Sequence, residues 1–250
     1  MPDMALSLDN VSFAYRGKPV IDRLSLTVNQ GEFVSLVGPS GSGKSTIFKL
    51  VAGLLEPDGG TIRLAEGGRP GPGHVGYMPQ RDCLMPWRTV VANAAVALEA
   101  RGIAPRVART QAAEHLAEFG LAQVAEAFPH ELSGGMRQRV AFLRTALGGQ
   151  DLLLLDEPFG ALDALTRSGM QEWLLDLWSR LRKTVLFITH DAEEAVFLSD
   201  RVYTLTGRPV QGAAEVIVDL PRPRRYDVVT TPEFQAKRAV LLSHLRGVAS

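Results

Sequence analysis

The chain has 250 residues, enough for one large domain or for a core with a subdomain. Its 27 basic and 27 acidic residues cancel, so no global field draws it to nucleic acid or to an anionic membrane. One cysteine, Cys83, rules out an internal disulfide and suits a reducing cytosol, and no apolar run is long enough to cross a bilayer.

The opening stretch MPDMALSLDN lacks a basic segment followed by an apolar one and is not read as a signal peptide. From Leu6 to Leu36, apolar and polar residues alternate between turn residues, which predicts strands. GPSGSGKST follows at Gly38–Thr46, then the helical stretch STIFKLVAGLL, a stop at EPDGG and a short strand, TIRL. AEGGRPGPGH is a loop by composition. From Trp87 to Leu147, the stretches TVVANAAVALEARG, VARTQAAEHLAEFG and GGMRQRVAFLRTAL carry helical spacing. DLLLLD then reads as a buried strand, ALTRSGMQEWLLDLWSRLRK as a helix and TVLFITH as another strand. The last third reads as a helix, two short strands and a basic tail. LPRPRRYD, with three arginines between and after its prolines, is expected to be a solvated extended segment. No repeat and no linker divides the chain. The expected organisation is one α/β domain over 1–250, with a helical insertion at about 84–147 and a C-terminal tail at about 221–250.

The glycine loop fits G-x-x-x-x-G-K-[ST] at Gly38, Gly43, Lys44 and Ser45. Between a strand and a helix, the backbone N–H groups of Gly38, Pro39, Ser40, Gly41, Ser42 and Gly43 (proline excepted) can surround phosphate oxygens, and the helix adds its positive end. Lys44 would reach the β- and γ-phosphates, Ser45 would ligate Mg²⁺ and Thr46 would hold an α-phosphate oxygen. Further along, LLLLDEP ends a buried apolar strand on two carboxylates. Such a placement is costly unless it serves a cation, so Asp156 is expected to hold Mg²⁺ through water and Glu157 to polarise the attacking water.

With LSGGMRQRV at Leu132–Val140, the chain resembles the ATP-binding cassette (ABC) ATPases over nearly its whole length. The resemblance implies a P-loop NTPase cassette with an N-terminal antiparallel β subdomain and an inserted helical subdomain. In that family Ser133, Gly134 and Gly135 would form the signature that meets ATP held by a second copy, in a head-to-tail dimer. It also implies that Tyr15 stacks on adenine, that Gln80 contacts Mg²⁺ and the attacking water, that Asp163 lies in the dimer-facing D-loop, and that His190 touches the γ-phosphate. Met136 stands where the family signature usually has glutamine, and Gly160 where the D-loop usually has serine. Neither change touches a catalytic position.

One cassette without a membrane span implies separate permease subunits and, indirectly, an extracytoplasmic solute-binding protein, with the chain peripheral on the cytoplasmic face of the inner membrane. PQRDCLMPWRTVVANA and DEPFGALDALTR are similar to importer ATPases of the nitrate, sulfonate, taurine and hydroxymethylpyrimidine type. The reading is ATP hydrolysis powering uptake of a small solute, with no nucleic-acid partner. A soluble cassette acting on nucleic acid or ribosomes, and an exporter subunit, are the alternatives. Trp87, with Met85 and Pro86, either anchors a docked membrane helix beside Gln80 or packs into the insert.

Overall fold

In a computed structural model, the described residues are 3–65 and 68–248. The expected loop AEGGRPGPGH falls partly on residues 66 and 67, which lie outside them.

The N-terminal alternation forms two long strands, β1 (Met4–Tyr15) and β2 (Lys18–Asn29), paired antiparallel through a tight hairpin that matches Tyr15 with Lys18. β4 (Gly59–Leu64) adds to the other edge of β1, giving the order β2-β1-β4. The second sheet follows the order β5-β6-β7-β3-β8-β9. Its members are β5 (Gly76–Met78), β6 (Leu152–Asp156), β7 (Thr184–Thr189), β3 (Phe33–Val37), β8 (Arg201–Thr206) and β9 (Gly212–Ile217). All neighbours are parallel except β9, which runs antiparallel to β8.

The central strands are apolar without interruption because both faces are covered. Their side chains still alternate. Phe33, Leu153, Leu155, Val185 and Phe187 enter one core, and Val34, Leu36, Leu152, Leu154, Leu186 and Ile188 enter the other. Helix α1 (Lys44–Val51) belongs to the second core, through Ile47, Phe48, Leu50 and Val51. The first core is shared with α2 (Val90–Ala94), α3 (Val96–Ala100), α4 (Pro105–Leu116), α5 (Gly134–Ala146), α6 (Ala164–Leu181) and α7 (Ala192–Leu198). The stretch expected as one helix from Thr89 is two short ones, broken around Ala95.

The C-terminal region departs from its sequence reading. LPRPRRYD is not a solvated strap. Arg224 is 3% exposed and donates from one nitrogen to the carbonyls of Val196, Phe197 and Ser199, and from the other to those of Val218 and Leu220. The end of a helix leaves carbonyls without partners, and a guanidinium supplies five donors in one plane, so α7 draws this arginine inward. Arg222 lies 4.4 Å over the Trp178 ring and binds Asp200. Beyond it the expected basic tail forms α8 (Pro232–Val248), whose Phe234 and Leu241 are wholly buried.

Candidate functional site

The strand order sets out the site. β5, β6, β7 and β3 lie side by side, and their carboxyl ends lead directly to Gln80, to Asp156 and Glu157, to His190, and to the Gly38–Gly43 loop. In open parallel α/β sheets, ligands bind outside this edge.

At the loop, Gly41 and Gly43 take left-handed backbone angles, φ +74° and +92°. Gly43 is required twice over, because a Cβ there would stand 2.9 Å from Val20 Cγ1 of β2. The same closeness seats the hairpin that carries Tyr15 against the loop. Tyr15 is 41% exposed and packs edge-on against Phe13, at 4.8 Å between ring centroids. α1 has no acidic residue in its first turn, which leaves its N-terminus open to an anion. Lys44 is buried, and its Nζ donates to the carbonyls of Gly38 at 2.8 Å and Pro39 at 3.0 Å. Burial lowers its pKa, against the opposing charges of Glu157 and Asp156. Ser42 Oγ is buried without a hydrogen-bond partner. A buried hydroxyl, a buried ammonium and left-handed glycines form a cradle suited to phosphate.

Asp156 is 3% exposed. Desolvation raises its pKa, the hydroxyl of Ser45 opposes the rise, and the neighbouring Glu157 adds to it, with Lys44 and Tyr77 also opposing. Tyr77 was not singled out from the sequence. Its hydroxyl bonds Asp156, and burial, followed by the Asp156 charge, pushes its pKa up to about 12. Only a polar tip on a three-residue buried strand hinted at it. Asp156 and Ser45 thus face each other as two oxygen donors of the kind Mg²⁺ takes, and the site fits that ion.

Glu157 adopts φ +45°, an uncommon angle for a residue with a Cβ. Its N–H donates to Ile188 O at 3.0 Å, and its carbonyl accepts from Gly160 N at 3.2 Å. Its Oε2 is approached from two sides: Gln80 Nε2 donates to it at 3.3 Å, and His190 Nδ1 lies 3.3 Å away. Gln80, Glu157 and His190 are therefore brought together, with Lys44 and Asp156 close enough to act on one another's charge.

Ser133–Gly135 and Asp163 lie together. Ser133 caps α5, accepting from Met136 N at 3.3 Å, and Asp163 caps α6, accepting from Thr166 N at 3.0 Å. A Cβ on Gly134 would meet Leu162 at 3.2 Å, and one on Gly135 would meet Thr166 at 3.2 Å, so the two helix starts abut.

The segment after Gln80 is fixed by residues to which the sequence assigned no such role. Arg144 donates to the carbonyls of Asp82 at 2.6 Å and Cys83 at 2.8 Å, while Arg137 pairs with the Asp82 carboxylate. Asn93, wholly buried, binds the backbone of Met85, Arg88 and Thr89. Trp87 stands on this braced turn at 74% exposure, so it is not core. Cys83 is exposed in the same segment. No helix among the described residues is long and apolar enough to cross a membrane.

The fold and the loop define a P-loop nucleotide-binding protein. Residues 21–160 match the family model described as ABC transporter. The chain is 44% identical over 244 residues to the formylaminopyrimidine import ATP-binding protein ThiZ of Halalkalibacterium halodurans, covering 97% of this chain and 95% of that one. It is 42% identical to the nitrate import ATP-binding protein NrtD of Synechocystis, over 96% of this chain and 93% of the relative. Among solved structures, a dimeric ATP-binding cassette in a post-hydrolysis state, bound to ADP and Pi, superposes with a TM-score of 0.74 at 27% identity, over 86% of this chain and 100% of that one. The chain belongs to the ABC transporter family, as an ATP-binding cassette.

Proposed function

We propose that this cassette is the ATP-hydrolysing subunit of an importer, acting as a head-to-tail pair of copies beneath separate permease subunits on the cytoplasmic face of the membrane. The observation that carries the hydrolytic part is the convergence on one oxygen of Glu157, with Gln80 and His190 each 3.3 Å from Oε2. Lys44 and the loop N–H groups bind and orient the phosphates, Ser42 and Thr46 adding hydroxyls. Tyr15 offers its ring to the adenine. Glu157 accepts a proton from the attacking water, Gln80 holds that water in register, and His190 donates to the γ-phosphate. Ser45, Gln80 and Asp156 would hold Mg²⁺, which supplies charge neutralisation on the phosphoryl oxygens. Ser133–Gly135 and Asp163, at two abutting helix starts, serve the nucleotide of the second copy, so closure of the pair is coupled to ATP.

The relatives named for formylaminopyrimidine and nitrate import support a small polar or anionic solute, selected by the permease and a solute-binding protein. The exposed Trp87 on its braced turn suits the anchor for a permease helix. The test is Glu157→Gln. The variant should bind ATP and pair in its presence by size-exclusion chromatography, while kcat falls by about 10²-fold or more. Turnover within a few-fold of the parent, with nucleotide binding intact, would remove Glu157 from the role of base.

A further inference from the structure

Between α6 and α7, behind the phosphate edge, two polar side chains are buried. Gln171 is 5% exposed and Glu194 is 6%, and Gln171 Nε2 donates to Glu194 Oε1 at 2.9 Å. Thr189, at the end of β7, also hydrogen-bonds the Glu194 carboxyl, and Arg167, one turn before Gln171, faces it with its charge. Burial pushes the carboxyl above its ordinary pKa, and Asp191 adds to the rise. An apolar pair would pack this space at less desolvation cost, so a hydrogen-bonded polar pair here calls for a role beyond filling it.

Its neighbours supply one. Thr189 Oγ1 accepts from Asp191 N at 3.0 Å, and the Asp191 carboxylate accepts from the backbone of Glu193 at 2.8 Å and of Glu194 at 3.3 Å. His190 sits between Thr189 and Asp191, its side chain 58% exposed. Glu194 therefore grips the residue on each side of His190, one through its carboxyl and one through its N–H. On the other helix, Arg167 holds Leu162 O at 2.8 Å, next to the Asp163 cap of α6. One buried cluster thus reaches both the histidine corner and the start of α6.

We propose that Glu194 is a positioning residue: with Gln171 it fastens the Thr189–Asp191 corner to α6, so that His190 is held on the reacting phosphate and moves as one body with the Asp163 turn. The inference rests on the role given to His190 above. Misplacing a reacting group by about 1 Å costs on the order of 10²-fold, so loosening the corner should be visible in turnover. The ground-state binding of nucleotide, set by the loop, should be spared.

The experiment compares steady-state ATP hydrolysis and thermal unfolding of Glu194→Ala, Glu194→Gln, Gln171→Leu, His190→Ala and the Glu194→Ala/His190→Ala double variant. Glu194→Ala should lower kcat by about tenfold or more with KM for ATP within about twofold. Glu194→Gln, which keeps an acceptor for Gln171 and a donor for Thr189, should restore most of that loss. The double variant should be no slower than His190→Ala alone, since a positioning residue has nothing left to position. If Glu194→Ala fails to fold, Gln171→Leu carries the same kinetic test. A kcat within twofold of the parent, with His190→Ala slow, overturns the proposal, as does a double variant whose losses multiply. Unimpaired turnover in His190→Ala would instead overturn the role of the histidine itself.

Discussion

Arg224→Met removes the buried guanidinium while keeping an unbranched stem of similar reach. Five carbonyl oxygens lose their donors: those of Val196, Phe197, Ser199, Val218 and Leu220, at 2.7–3.3 Å. A hydrogen bond to a charged partner is worth about 1.5–3 kcal/mol, and a stranded buried acceptor costs about 1–3 kcal/mol. Set against this, the parent pays to desolvate the guanidinium, the cause that draws its pKa down to about 10 while leaving it charged at neutral pH. Water reaching some of the carbonyls softens the loss further. The expected net is about 3 kcal/mol, near the range for breaking a buried charged network. For a chain of this size that lowers the unfolding midpoint by roughly 6–12 °C. Differential scanning calorimetry measures it, with Arg225→Met as the control. Arg225 is exposed and pairs with Asp176, and its loss should leave the midpoint unchanged. An Arg224→Met midpoint within 2 °C or so of the parent would mean that α7 does not depend on this side chain, and the account of the C-terminal segment would fail.

Two further outcomes follow from the geometry. Gly43→Ala places a Cβ at φ +92° and 2.9 Å from Val20 Cγ1, so it should weaken nucleotide binding by at least tenfold in a fluorescent-ATP titration, by opening the loop away from the hairpin. The buried Glu194 carboxyl, facing Arg167, Asp191, Thr189 and Gln171, has a folded-state pKa above its ordinary 4.5. The folded chain therefore binds more protons than the unfolded one just above pH 4.5, and stability falls as pH rises through that window. Glu194→Gln removes this contribution, so denaturant midpoints should show the variant gaining on the parent from about pH 4 to pH 8, and a gap constant with pH would refute the shift.

The nucleotide edge was legible in the sequence because its parts follow local rules. An apolar strand, a glycine run and a helix make Gly38–Thr46 recognisable, and an apolar run ending in Asp156–Glu157 marks a second strand on the same edge. The bonds that brace those parts come from residues distant in the chain and were not legible. Tyr77 meets Asp156 only because β5 lies beside β6, and Arg144 meets Cys83 across 61 residues. The C-terminal region was misread for another reason. Its arginines look solvated by composition, yet the carbonyl ends of α7 are a local demand that composition cannot register. α8 did carry a helical stripe, with Phe234 and Leu241 seven apart, but charged Lys237 and Arg238 lie between them and mask it.

The arginine that closes α7 stands 28 residues beyond Val196, whose carbonyl it satisfies. A ribosome releases the chain from its N-terminus, so the phosphate loop and Glu157 are in hand well before Arg224 exists. The carbonyls that end α7 consequently lack this partner until residue 224 has been made. A nascent cassette thus has its glycine loop complete while the end of this helix still waits for its cap.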